Sequence, residues 1–265
     1  MPHGRRVQLG DDGRGYPLTA QQRHFKIDGA YNVRELGGYR TTTGDVTHWG
    51  RFLRADLLGD IPAESVAALT EYGIRTAIDL RVNDELLQKP SVLARSPGIE
   101  YFHHNLLGDD ELPEVVRKYE TAREMADGYA WMLDERQPQI RDSLSTLAAP
   151  GALPAVFFCA GGTDRTGIVA ALLLGLAGVP HETIAQDYHL SAQALVNRWR
   201  NLSRPDFVSE EDLASGRVLE RLARTDTMRL TLEYLDGAHG GVDGYVRTLG
   251  LTDGLIARLR DALLA

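Results

Sequence analysis

At 265 residues, with 43% hydrophobic and 25% charged side chains, the chain has the size and balance of a protein that buries a full core. Its formal net charge of −8 argues against a nucleic acid or an anionic membrane as partner, since both call for a basic surface. A single cysteine excludes an intramolecular disulfide and a thiolate zinc cluster, and no metal or other cofactor is expected.

Residues 1–24 are polar and aperiodic, which predicts a flexible tail, with one domain expected over 25–265. The tail lacks the apolar stretch of a signal peptide, and the longest apolar run, Gly167–Val179, is too short to span a bilayer. The expectation is a soluble cytoplasmic protein with no membrane partner. Order is expected from "FKIDGAYNVRELGGYRT", where Gly37-Gly38 marks a turn. "RFLRAD" (51–56) reads as a short strand. "PAESVAALTEYG" (62–73) reads as a helix with proline at its start and Gly73 as its stop. "IRTAIDLR" (74–81) and "GIEYFHHNLL" (98–107) read as strands. Residues 112–149 turn helical, with "VVRKYETAREMADGYAWML" as one helix. Pro154–Phe158 is a short apolar strand and Gly167–Ala177 a buried helix. From Glu182 onward the chain reads as helical, ending in "TDGLIARLRDALLA" with Thr252 or Asp253 as its cap. Strands mixed with helices give a layered α/β class.

The lone cysteine stands in "AVFFCAGGTDRTGIVAALL", where a strand ends, a glycine-bearing loop follows and a helix begins near Thr166. Unpaired N–H groups of such a loop and of the first helical turn form an anion site, aided by the helix dipole. The same field favours a nucleophilic thiolate on a cysteine held there. Arg165 follows after five intervening residues, and its planar fork suits two oxygens of a phosphate. Cys159 as nucleophile, Arg165 as oxyanion holder and the N–H groups of Ala160, Gly161, Gly162, Thr163, Asp164 and Arg165 are the equipment for in-line phosphoryl transfer to sulfur. Thr166 can offer a hydroxyl to the sulfur when a cysteinyl-phosphate breaks down. A lone C-x5-R match is weak, and a single cysteine is usually core filler. Here cysteine, glycines, arginine and helix start fall together in one strand-loop-helix context, which gives the match its weight.

In these residues the chain resembles the cysteine-dependent protein tyrosine phosphatases, and more narrowly the bacterial atypical tyrosine/lipid phosphatases, whose loop reads H-C-x-x-G-K-D-R-T-G. "YNVRELGGYRT", "WGRFLRAD", "GIRTAIDLR" and the C-terminal "GGVDGYVRTLGLTDGLIARLRDALL" are similar to further segments of that family. The resemblance implies a central, mostly parallel sheet flanked by helices, a largely helical C-terminal half, and a candidate helical lid around 110–135. It implies a metal-independent phosphomonoester hydrolase acting on phosphotyrosine in a phosphoprotein or on a phosphorylated small molecule such as a sugar or nucleoside phosphate. Two departures stand out: the family's histidine before the cysteine is Phe158, and its lysine is Thr163. Loss of that positive charge at the pocket mouth disfavours multiply phosphorylated head groups and tilts the expectation slightly toward a small molecule.

A leaving alkoxide or phenolate needs a proton. Asp164, inside the loop, is the suspected acid in phosphatases with this D-R-T signature, and its alternative role is a brace for the loop. Asp109 and Asp110, in "LLGDDELPE", resemble the family's mobile acid loop and read otherwise as a solvated turn. His103-His104 point to opposite strand faces and cannot share a metal ion. Asp79 and Arg81 read as a structural ion pair; Arg34 and Arg54 as pocket-lining or bracing residues; Tyr129 and Trp131 as lid or core; Asp187-Tyr188 as packing. Two further classes stay open. A pseudophosphatase would bind phosphate without turnover, a reading Phe158 favours. A sulfur-transfer enzyme would use the same anion cradle, whereas arsenate reduction usually wants more cysteines than one.

Overall fold

The computed structural model describes residues 23–118, 120–201, 209–215 and 224–264. Most of the expected tail, residues 1–22, lies outside the described residues. Arg23 and His24 belong to the fold: the Arg23 guanidinium lies 3.6 Å from the Tyr39 ring centre and donates to the carbonyls of Gly37 and Gly38, while His24 bridges to Arg34.

Five short strands form one sheet in the order β1-β2-β5-β3-β4: β1 (Arg34–Glu35), β2 (Phe52–Ala55), β3 (Thr76–Asp79), β4 (Glu100–His103) and β5 (Ala155–Phe158). Only the β1–β2 pair is antiparallel; β2–β5, β5–β3 and β3–β4 are parallel. The sheet is thus mostly parallel, as the resemblance implied, and β5 occupies its centre. Helices cover both faces. Alternation along β5 divides the core, because successive side chains point to opposite faces. Ala155 and Phe157 join the larger cluster with the C-terminal helices, whereas Val156 and Phe158 face the smaller one around Leu53, Leu69 and Ala77.

Local chemistry explains most boundaries. Helix α1 (Ala63–Tyr72) starts after Pro62 and stops at Gly73, whose φ of 97° suits a residue without Cβ. The single helix expected over 115–133 is instead two, α3 (Glu114–Arg117) and α4 (Ala122–Glu135). The cause is a capping box: the Thr121 hydroxyl accepts from Glu124 N–H, and the Glu124 carboxylate accepts from Thr121 N–H. Helix α5 (Gln137–Leu147) follows directly, and α6 (Asp164–Leu176) leaves the cysteine loop two residues earlier than Thr166. Ten of its residues are buried, as expected for an apolar helix at the centre of the larger core. Helix α7 (His181–Asn201) packs on α6, and α8 (Glu210–Ser215), α9 (Thr225–His239), α10 (Val242–Thr248) and α11 (Asp253–Leu264) complete the helical C-terminal half. Thr252 caps α11 through its hydroxyl, which accepts from Leu255 N–H at 3.3 Å. Among the described residues no helix is long and apolar enough to cross a membrane.

Candidate active site

The cysteine loop leaves the carboxyl end of the central strand, with β2 and β3 ending on either side at Ala55 and Asp79. In parallel sheets this edge is where ligands are held. Cys159 is buried at the foot of the loop.

The loop's carbonyls are tied outward. Ala160 O accepts from Leu57 N–H at 3.3 Å and from Arg198 Nη1 at 2.5 Å. Gly161 O accepts from Asn32 Nδ2 at 3.0 Å, and Gly162 O from Asn32 Nδ2 at 3.1 Å and Arg54 Nη2 at 2.8 Å. Among the described residues the N–H groups of Ala160 through Arg165 have no acceptor, which leaves a row of amide donors beside the cysteine. Gly162 has φ +66°, and a Cβ there would stand 2.6 Å from Ala55 O, so only glycine fits.

Arg165 is held in a bidentate pair with Glu85 on helix α2 (Asn83–Gln88), at 2.5 and 3.0 Å. Burial works against the guanidinium charge, but the Cys159 sulfur and the Glu85 carboxylate outweigh it and raise its pKa above the ordinary arginine range. Glu85 responds in kind: burial disfavours its charge, and the bond to Arg165 still brings it below the usual glutamate range. The pair fixes the orientation of the guanidinium. Thr166, in the first turn of α6, has its hydroxyl buried with no hydrogen-bond partner among the described residues.

Behind the loop lies a buried ionic hub. Asp187 on α7 accepts from Arg34 Nε at 2.8 Å, Arg54 Nη1 at 2.6 Å and Tyr39 Oη at 2.7 Å. Burial resists its charge, yet the two arginines hold it well below the usual carboxylate range. Arg54, pulled down to about 10 by burial and by Arg34, remains protonated at neutral pH and donates through Nη2 to Gly162 O. Arg34 and Arg54 are therefore braces, and Asp187 is an electrostatic anchor where the sequence suggested packing.

The remaining residues singled out in the sequence take these places. Thr163 is 4% exposed, and its hydroxyl folds back to Gly161 O at 3.3 Å. Phe158, in the histidine position, is fully buried in the smaller core, with the Arg81 guanidinium 5.9 Å from its ring centre. Asp79 and Arg81 form the expected ion pair at 2.6 Å, and Tyr101 Oη also donates to Asp79 at 2.7 Å. His103 bonds the Arg81 carbonyl and His104 the Thr146 hydroxyl, so the two rings serve different neighbours.

The acid candidates part company. Asp164 is adjacent to Arg165 at the start of α6, is solvent-exposed, and accepts from Tyr129 Oη through Oδ1. Asp109 is exposed and accepts from Asn83 Nδ2 at 2.6 Å and Asn105 Nδ2 at 2.8 Å. Asp110 is exposed and pairs loosely with Arg136 at 3.6 Å. Helix α4 turns Met125, Ala126, Tyr129, Met132 and Leu133 into the core, so the Tyr129 region is core with a polar tip, where a lid was one expectation.

Glu85, Asn32 and Tyr129's bond to Asp164 were missed in the sequence. Only Glu85 carried a local signal, standing six residues beyond the strand end at Asp79 in "DLRVNDE".

A family model described as "Tyrosine phosphatase family" matches residues 25–265. The chain belongs to the tyrosine phosphatase family. A tyrosine-protein phosphatase of Nostoc commune is 30% identical over 218 residues, covering 79% of this chain and 72% of that protein. A triple specificity protein phosphatase of Mycobacterium tuberculosis is 24% identical over 280 residues, covering 90% of this chain and 98% of that one. This phosphatase thus carries the family's C-x5-R loop on the family's α/β architecture, with phenylalanine and threonine at the two positions noted above.

Proposed function

We propose that the protein hydrolyses phosphomonoesters without a metal, through a cysteinyl-phosphate on Cys159, and that its substrate is a phosphotyrosine residue. The observation that carries this reading is the row of amide donors from Ala160 to Arg165, without acceptors among the described residues, that follows the buried cysteine, with Arg165 held by Glu85. Sulfur attacks phosphorus, the ester P–O bond breaks, and the amides and Arg165 hold the charge on the equatorial oxygens. Asp164 gives its proton to the departing oxygen and then takes one from the water that cleaves the S–P bond. The sulfur leaves in that second step, and the unpartnered Thr166 hydroxyl is suited to receive its charge. The preference for an aryl ester draws on the names of the relatives; a small phosphorylated metabolite is the second reading, favoured by the uncharged Thr163 in the loop.

Phosphate release should be measured on a panel of phosphotyrosine peptide, phosphoserine peptide, phosphoinositides, sugar phosphates and nucleotide monophosphates, in EDTA with a reductant. Turnover of the phosphotyrosine peptide that survives EDTA and disappears in Cys159→Ser is expected. A sugar or nucleotide ester as the preferred member replaces the substrate while keeping the chemistry. Binding of vanadate with no turnover anywhere on the panel would favour a phosphate-binding module instead.

A further inference from the structure

Asp164 is an exposed carboxylate with one oxygen tied to the core. Tyr129 reaches it from α4, a different element, and is 4% exposed; behind it stands Tyr188 of α7, 1% exposed. The two phenol oxygens are 2.6 Å apart, and the rings meet edge to face with centres 6.1 Å apart. A phenol has one proton to give. With the Tyr129 proton committed to Asp164 Oδ1, the contact with Tyr188 requires the Tyr188 hydroxyl to donate to Tyr129. The chain therefore has a direction, Tyr188 to Tyr129 to Asp164. Burial, followed by the charge of Asp164, pushes both phenols well above their ordinary range, so each keeps its proton at working pH. Tyr188 is fixed in turn by Gly167, where an added Cβ would stand 3.0 Å from its ring.

We propose that Tyr129 is the positioning residue for the acid–base step, filling Asp164 Oδ1 so that Oδ2 is the oxygen that carries the proton. This rests on Asp164 being the acid. The proton leaves Oδ2 for the ester oxygen as the P–O bond breaks and the S–P bond forms. In the second half the ionised Oδ2 accepts a proton from the attacking water as S–P breaks, and Oδ1 stays with Tyr129 throughout. An exposed aspartate would otherwise sample several rotamers and offer either oxygen. Held at one end, it presents one oxygen in one direction, and the geometry of proton transfer is preset. Tyr188 contributes by orienting the Tyr129 hydroxyl.

The test is the dependence of kcat/KM on the leaving group. Phenyl phosphate needs a proton on its departing oxygen, whereas 2,4-dinitrophenyl phosphate leaves as a stable anion. Asp164→Asn should slow phenyl phosphate about 100-fold and spare the dinitrophenyl ester. Tyr129→Phe should show the same selectivity at about tenfold, with no further loss when combined with Asp164→Asn. Tyr188→Phe should repeat the pattern at about threefold and carries the test if Tyr129→Phe fails to fold. With Asp164→Asn selective, equal losses on both esters, or no loss, in the tyrosine variants would overturn the positioning role and leave a core tyrosine braced by an aspartate. If Asp164→Asn is itself unselective, the acid assignment fails and this inference with it, while the cysteinyl mechanism stands on Cys159→Ser.

Discussion

The ionic hub behind the cysteine loop and the turn at Asp109 and Asp110 hold their carboxylates in opposite ways. Behind the cysteine loop the polar contacts are partly or wholly buried and shared: Asn32, Arg54 and Arg198 hold its carbonyls, and Asp187 holds the arginines. Around Asp109 and Asp110 the carboxylates stand in water, with the exposed Asn83, the half-buried Asn105 and a guanidinium at 3.6 Å as partners. The same residue type is structural in one place and solvated in the other. The difference is desolvation, because a buried charge must have its partners while an exposed one is satisfied by solvent.

That contrast can be broken most forcefully at Asp187. Asp187→Ala leaves Arg34 and Arg54 facing each other without a counter-ion, and unfolding in urea should show a loss of about 3–5 kcal/mol. Next is Gly162→Ala, which forces a Cβ to within 2.6 Å of Ala55 O at a φ of +66°. A loss of about 1–3 kcal/mol is expected, with a fall in kcat/KM toward phosphotyrosine peptide larger than the stability change explains, because the amides are re-aimed.

Glu35 sharpens the comparison through pH. Its Oε1 accepts from Gly50 N–H at 2.9 Å, its Oε2 is buried without a partner among the described residues, and burial pushes its carboxyl up to about 7. A folded-state value raised above the unfolded one means the native protein binds the extra proton. Stability is then highest at low pH within this window and falls as pH rises from about 4.5 through 7, by on the order of 2 kcal/mol. Glu35→Gln should flatten that slope in unfolding curves measured between those limits. The smallest effect is expected from the double substitution Asp109→Asn, Asp110→Asn: stability within about 0.5 kcal/mol, and no selective loss on poor leaving groups. A loss of about 100-fold there would instead transfer the acid role to that turn.

What the sequence disclosed follows the range of the interactions. The strand, cysteine, glycines and arginine lie within eleven consecutive residues, Ala155–Arg165, so their geometry was legible at once. Gly73 and Thr252 were legible for the same reason, each acting on its own helix end. The capping box at Thr121 and Glu124 was equally local and was overlooked, which is why one helix was expected where two stand. Asn32 reaches a carbonyl 129 positions away, and Tyr129 an aspartate 35 positions away. No periodicity or spacing encodes such pairings, which exist only once the sheet order brings β2, β5 and β3 side by side. Nor did the sequence say where the Thr163 side chain points, since a residue at the family's lysine position need not point where lysine would. Its hydroxyl has a carbonyl of its own loop within reach.

The fit of Gly162 against Ala55 has an evolutionary reading. A position with no room for any side chain cannot be used to retune substrate choice, however strong the selection. Its neighbour Gly161 is different: a methyl there would meet the flexible Leu195 side chain at 3.3 Å and the Thr163 hydroxyl at 3.6 Å, and no backbone atom nearer. Ala160 is partly exposed and already carries one. Drift toward new esters is thus channelled through residues 160 and 161 of the loop, while its third spacer is frozen by the strand beside it.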